Sequence, residues 1–431
     1  AEGGDGSVTT TADGFAWAQS FAAGSGTKII DMAADATGVV LVGQLDTSAT
    51  FGTTTLTAAN GSSGDGFVAK LDTNGNVLWA KATSGSSGEL EAVAIDPSGN
   101  IVVGGNDYGT AETFTLGTVT LTRETGTLDS QPISAGGGPI FELDANGNVI
   151  WGRLVATTGE INMGSLAIAG STIYAAGPII DDAAFAVGGA MPITGCGTAG
   201  CVYLAAYDMS GNIQWAKQAP SSPHRGTGED PGEVWIAATT TSLDVAIGGY
   251  YSSAGGGSTD ANELVVSQYD LTGALVWTKV TPSQDSPIVN GLALDSTGNL
   301  YVAGSSAGLE LGAITTAEYT APFFVKYAPT GDLAWGIGYP GDNFPAYKAI
   351  ALSDHLYSFG NGGVTGPMGA DSFDLSTGAL LSDVPCEADQ NLGAGVAASS
   401  AGVFVGGYGG PPATFGTKTL TALGLFVAKL K

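Results

Sequence analysis

One hairpin, written seven times with its seventh copy cut in two, constrains this chain more than anything else in it. Residues 66–82 read GFVAKLDTNGNVLWAKA: an apolar strand, a turn at Thr73-Asn74-Gly75, and a second strand carrying Trp79. Related segments stand at 140–154, 202–218, 264–280, 323–337 and, in degenerate form, 371–383. The seventh is divided, with LFVAKLK (425–431) at the end of the chain and GFAWAQSF (14–21) at its start. Between these copies alternates a second hairpin rich in small residues, as in AVAIDPSGNIVVGG (92–105) and GLALDSTGNLYVAGS (291–305). Counting 33–44, 165–177, 234–250, 349–360 and 395–408, it too occurs seven times.

Seven units of four strands, the last drawing on both chain ends, predict an all-β, seven-bladed β-propeller of four-stranded antiparallel blades. The N-terminal strand completes the last blade, so that no edge is left free where the ring closes. Trp17, Trp79, Trp151, Trp215, Trp277 and Trp335 recur at spacings of 62, 72, 64, 62 and 58 residues. A four-strand unit of that period fits a propeller better than an open solenoid, which would need polar capping repeats. The domain is expected over residues 14–431, with residues 1–13 as a flexible polar leader.

The recurrent Trp reads as packing between neighbouring blades, since alternation places Val77, Trp79 and Lys81 on one face of their strand. The turns DTNGN, DANGN, DMSGN, DPSGN and DSTGN look at first like calcium loops. The first Asp is their only recurring carboxylate, however, and the Gly stands where a tight hairpin needs positive φ, so they are expected to be turns. Inserts such as TFGTTTLT (50–57), TFTLGTVTLT (113–122) and TFGTKTLT (414–421) read as short hairpins folded against their own blades. The fourth and sixth units lack this pattern.

Composition narrows the partners. Forty acidic and 13 basic residues give a net charge of −27, which repels phosphate backbones and anionic lipid; nucleic acid is not expected as a partner. Cations, basic proteins and neutral glycans stay open. No run of about 18 apolar residues is present, so no transmembrane segment is expected. The Gly/Ser/Thr-rich start suggests a mature exported chain behind a cleaved signal or a lipid anchor upstream of Ala1, and hence an extracellular or cell-surface protein. Cys196 and Cys201, in GCGTAGC, are close enough to form a disulfide, while three cysteines without partnering histidines match no common zinc spacing. Whether Cys386 is free stays open.

Chemistry, if present, belongs on the loops joining one blade's outermost strand to the next blade's innermost strand. These include residues 84–89, 156–162, 219–233, 281–290, 339–347 and 382–393. The longest, APSSPHRGTGEDPGE at 219–233, carries His224, Arg225, Glu229, Asp230 and Glu233, with Trp235 just beyond it. A basic pair beside three carboxylates could form a ligand-binding site or simply a loop ion pair satisfied within itself. Asp342, Glu387 and Asp389 are further acids on that face. No HExxH or P-loop occurs, and His355 falls in a hairpin turn.

The pairing of D-x-x-G-N-(I/L)-x-V-x-G with V-A-K-L-D-x-x-G-N-x-x-W-A-K resembles the bacterial seven-bladed β-propeller repeat family, SBBP, across nearly the whole chain from Phe15 to Lys431. The match is plain around Phe67, Asp96, Asp295 and Phe426 and eroded in the sixth unit. The resemblance implies an exported or surface-displayed bacterial protein, often multi-modular, and carries no shared catalytic motif to these positions. The first expectation is therefore a binding or structural module without catalysis and without a cofactor, structural calcium at most. It would hold a protein or glycan partner at its loop face, as a subunit of an extracellular assembly. The alternative is a carbohydrate-binding propeller or glycan-active enzyme using the face around residues 219–233.

Overall fold

The computed structural model describes residues 9–10, 14–61, 64–133, 136–186, 190–197, 200–219, 234–251, 261–284, 287–311, 314–315, 321–338, 349–360, 369–387, 392–409, 413–420 and 424–431. The expected fold is observed: an all-β propeller of seven blades, each an antiparallel sheet of four main strands. Blade one runs Lys28–Asp35, Gly38–Leu45, Asp65–Asp72 and Val77–Gly85; blade two runs Gly88–Ile95, Ile101–Asp107, Gly137–Leu143 and Val149–Thr157. Blades three to six begin at Ser165–Ala169, Val234–Ala238, Ile288–Leu294 and Ala349–Leu352. Blade seven takes Leu392–Ser399, Gly402–Gly409 and Gly424–Leu430 from the C-terminal end of the chain and Phe15–Ala22 from the N-terminal end.

Innermost strands touch in cyclic order, the seventh returning to the first, so the ring is closed. Closure depends on one seam, where Phe15–Ala22 lies antiparallel to Gly424–Leu430 with Ala18 opposite Ala428 and Phe21 opposite Leu425. The Lys431 amide donates to Gly14 O at 2.9 Å, so the two chain ends meet where the other blades have a turn. Within the leader, Thr9–Thr10 runs parallel beside Ser382 and Asp383 at the outer edge of blade six.

The repeat positions explain how blades are joined. In the blade-one turn, Asp72 Oδ1 accepts the amides of Asn74 and Asn76, both at 2.8 Å, while Gly75 takes φ 84°. Asp144, Asp208 and Asp270 repeat the pattern, so these carboxylates are occupied by their own turns. Each recurrent Trp then reaches across to the next blade's turn. Its indole N–H donates to the carbonyl just past the turn's first residue: Trp17 to Thr73, Trp79 to Ala145 and Trp151 to Met209 at 3.0 Å, Trp277 to Pro329 at 3.1 Å, Trp215 to Leu271 at 3.2 Å and Trp335 to Leu375 at 3.4 Å. The turn glycine serves this contact as well as the backbone: a Cβ on Gly147, at φ 79°, would sit 2.7 Å from the Trp79 ring. The sixth blade's outer strand has no Trp, and the seventh blade, cut by the termini, has no such turn to receive one.

The insert hairpins do more than fold on their own blades. Their faces do pack there: Phe51 meets Phe67 at 5.5 Å, Phe114 meets Phe141 at 6.2 Å and Phe415 meets Phe426 at 4.9 Å, each pair within one blade. Their backbone edges, however, extend the preceding blade. Thr113–Leu116 of blade two pairs with blade one (Phe114 with Gly85, Leu116 with Thr83), Ala183–Ala186 of blade three pairs with blade two, and Ala413–Phe415 of blade seven pairs with blade six. A one-residue bridge, Ala23 to Ala49, begins the same contact between blades seven and one. Blades diverge toward the rim of a ring, and a hairpin that packs on one sheet while lengthening its neighbour fills that widening gap. Phe51, Phe114 and Phe415 are fully buried as a result, each burial contributing about 1.5–3 kcal/mol.

Candidate functional site

The loop face gives a mixed outcome for the residues singled out from sequence. His224, Arg225, Glu229, Asp230 and Glu233 lie outside the described residues, as do Asp342 and Asp389. Trp235 is described: it stands in the innermost strand of blade four, half-buried, and its Nε1–H donates to Val289 O of blade five at 2.9 Å. That indole joins two blades and packs against the core between them. Glu387 is a backbone partner of Thr414. His355 sits in an exposed turn with Asp354 Oδ2 at 3.0 Å and Tyr357 edge-on, a local arrangement as expected. Cys196 and Cys201 are joined in a disulfide, and Cys386 is free, buried, with burial pushing its thiol well above the ordinary range.

Two polar groupings on this face were not foreseen. The first is closed. Arg123 Nη2 reaches Asp107 Oδ1 at 2.6 Å, Ser86 Oγ at 2.7 Å and Gly109 O at 2.8 Å, while its Nε donates to Asp107 Oδ2 at 3.1 Å. Asp107 is wholly enclosed, so this forked pair ties the chain leaving the insert hairpin to the end of the blade-two strand that precedes it.

The second grouping lies at the mouth of the central channel, across blades one to three. Innermost strand Gly88–Ile95 carries a bulge: Ala92 faces Gly104 and Leu90 faces Gly105, leaving Glu91 as the extra residue. A bulge re-aims its side chain, and here it brings a carboxyl beside Glu89 of its own strand and Asn162 of blade three. Asn162 is held in place by its amide's bond to Pro178 O at 3.1 Å and by Met163 N donating to Gly105 O of blade two at 3.2 Å. Lys28 of blade one, half-exposed, lies 3.5 Å from Glu89 Oε2. Glu89 Oε2, Glu91 Oε2 and Asn162 Oδ1 are cut off from solvent, and the Glu91 carboxyl is hydrogen-bonded to the Glu89 and Asn162 side chains. Burial, then the charge and hydrogen bond of Glu89, raise the Glu91 acid well above the usual carboxylate range, with Asn162 and Lys28 acting the other way. Burial and the Glu89 charge likewise push Tyr108 up to about 12. The arrangement is a pair of carboxyls sharing a hydrogen bond, joined to the Asn162 side chain and faced by the Lys28 ammonium.

Away from this face, a groove of about 210 Å³ lies between the outer parts of blades four and five, lined in part by Lys279, Glu310, Leu311, Tyr327 and Leu333. Pro282 and Lys279 on its edge strand oppose addition of a further strand there. Among the described residues, no group of three or more His, Cys, Asp or Glu side chains could hold one metal ion, and no helix is long and apolar enough to cross a membrane.

The buried acids set a pH dependence with an unusual sign. Asp31, bonded to the amides of Val93 (2.9 Å) and Met32 (2.7 Å), is pushed up to about 7 by burial, and Asp244, bonded to Ser242 and Gln268, to about 6. Folded pKa values above the unfolded ones mean that the native state holds more protons between about pH 4 and pH 7, so stability rises as pH falls through that window. Turn carboxylates act oppositely: Asp295 and Asp374 are lowered to about 2, and their contribution disappears as pH falls below about 4. Thermal melts are expected to show a higher Tm near about pH 5 than near about pH 8, with a decline toward about pH 2. A maximum at or above about pH 7 would contradict the assignment.

No family model matches the chain, and no curated protein matches it. Several solved structures resemble the chain distantly. The β-propeller domain of the Trilobed protease from Pyrococcus furiosus superposes with a TM-score of 0.46 at 9% identity, over 94% of this chain and 94% of that one. A quinohemoprotein alcohol dehydrogenase from Comamonas testosteroni gives 0.45 at 12% identity, over 96% of this chain and 76% of that one. A polysaccharide lyase of family PL25, an ulvan lyase, gives 0.45 at 10% identity, over 92% and 91%.

Proposed function

We propose that this chain is a non-catalytic binding and structural propeller of an exported bacterial protein, holding a protein or glycan partner on its loop face within an extracellular assembly. One observation carries the reading. The recurrent polar and aromatic groups are engaged in building the ring, Trp N–H to turn carbonyl and turn Asp to turn amide, while the Glu89 and Glu91 carboxyls stand outside that scheme on the loop face. The Cys196–Cys201 disulfide supports an oxidising compartment, and the resemblance to the SBBP repeat supports a surface-displayed protein. A net charge of −27 favours a basic or neutral partner.

The test is a panel of neutral and anionic polysaccharides incubated with the purified chain, read for new reducing ends and unsaturated products, alongside glycan and protein arrays. The reading predicts no turnover, and array binding that Glu91→Lys abolishes. Turnover lost in Glu91→Gln or Glu233→Gln would replace it with the glycan-active alternative.

A further inference from the structure

We propose that the outer rim of blades four and five is the surface through which two copies of this chain form a two-fold dimer. Ten large apolar side chains stand exposed among the described residues, and four of them gather in this sector: Val276 at 58%, Val280 at 48%, Leu275 at 44% and Leu333 at 39%. Scattered singly, such residues are ordinary; grouped at one edge, they mark a contact surface. Val280 and Leu333 flank the groove of about 210 Å³. Elsewhere the insert hairpins cover such an edge, since those of blades two, three and seven bond to the preceding blade. In the blade-five insert, Glu310–Leu311 and Ile314–Thr315 pair with each other rather than with blade four, and the groove stands in place of that ladder.

Charge selects the occupant. Copies carrying −27 each repel one another over most approaches. Strand Leu275–Ser283 holds one lysine and no carboxylate, and Leu333–Gly338 holds no charge, so this sector lets two copies come close. Arg153 and Lys217, at the matching place in blades two and three, donate to the next blade's turn, at Ser210 O (3.0 Å) and Thr272 O (2.8 Å). The Lys279 ammonium makes no such bond and no ion pair among the described residues, although Glu310 and Asp332 line the same groove. An isologous contact across the groove brings Lys279 of each copy to Glu310 of the other, with the aliphatic side chains between them. Pro282 and Lys279 keep the two edges from joining as a ladder, so the contact runs through side chains and closes at two copies. It stands whether or not the loop face binds a macromolecular partner.

The test is sedimentation velocity and light scattering of the purified full chain over a dilution series, with a thermal melt of every variant. A reversible monomer–dimer equilibrium is expected. Val280→Asp should abolish the dimer by placing a carboxylate at its apolar centre twice over, and Lys279→Glu should weaken it about tenfold. Lys279→Glu combined with Glu310→Lys should restore it, because the charges are exchanged and the pairing is kept. A monomer at every concentration would overturn the proposal. So would a dimer that Val280→Asp leaves intact, or a mass that keeps growing with concentration, the sign of an open-ended contact. Should Val280→Asp fail to fold, the charge reversals carry the decision: weakening followed by recovery supports the two-fold contact, and equal association of the parent, single and double variants contradicts it.

Discussion

Replacing Trp151 with alanine is expected to lower the unfolding free energy by about 3–5 kcal/mol, the range seen for large buried aromatics. Trp151 is 9% exposed and lies under the turn of blade three, where a Cβ on Gly211 would come within 2.6 Å of its ring. Its Nε1–H is shared between Met209 O, at 3.0 Å, and the Glu142 carboxylate of its own blade. Alanine would therefore open a cavity between blades two and three, free the turn, and leave Glu142, itself 2% exposed, with Asn100 as its remaining donor. Trp151→Phe separates these effects: it keeps most of the ring and removes the N–H, for an expected loss of about 1–3 kcal/mol. Urea unfolding of the two variants checks this. A loss under about 1 kcal/mol for the alanine variant would mean that the Trp is not a joint between blades.

The second large effect belongs to the enclosed Arg123–Asp107 pair. Removing one partner should cost about 3–5 kcal/mol, since it leaves an unpaired charge in a closed setting. Arg123→Ala would strip Asp107 of both its forked bonds and Ser86 of its donor. Removing both charges with shape retained, as in Arg123→Met with Asp107→Leu, should recover much of the loss, because neither charge then remains buried alone. Denaturation midpoints of the single and double variants decide it. If the double variant is as unstable as the sum of the singles, the pair contributes geometry that apolar packing cannot supply.

The fold was legible because a ring repeats its instructions. The split hairpin, Leu425 to Lys431 against Gly14 to Phe21, required closure through the N-terminal strand, and the ladder from Phe15 to Ala22 shows it. The Trp positions were legible as packing, but their N–H bonds were not, since the acceptor is a carbonyl 56 residues onward whose direction no side-chain pattern encodes. The insert hairpins show the same limit. Phe114 announces a buried face, yet the pairing of its backbone with Gly85 of the previous blade leaves no mark in the residue types. Glu91 escaped notice because a bulge breaks the two-residue period on which strand reading depends, so that its place at the channel mouth follows from backbone register rather than alternation. Trp235 drew attention by its neighbourhood in sequence, whereas its indole faces the blade-five backbone.

The most direct test of the closed ring is a crosslink across its seam. Ala18 and Ala428 lie opposite each other between the first full strand and the last. In the double variant Ala18→Cys with Ala428→Cys, oxidation of the native protein should join the two chain ends. Intact mass and peptide mapping would show one new disulfide in nearly every molecule, with Cys196–Cys201 retained and Cys386 unreacted. Free, readily alkylated thiols at both introduced positions in the folded protein would contradict the closure on which the rest of the account depends.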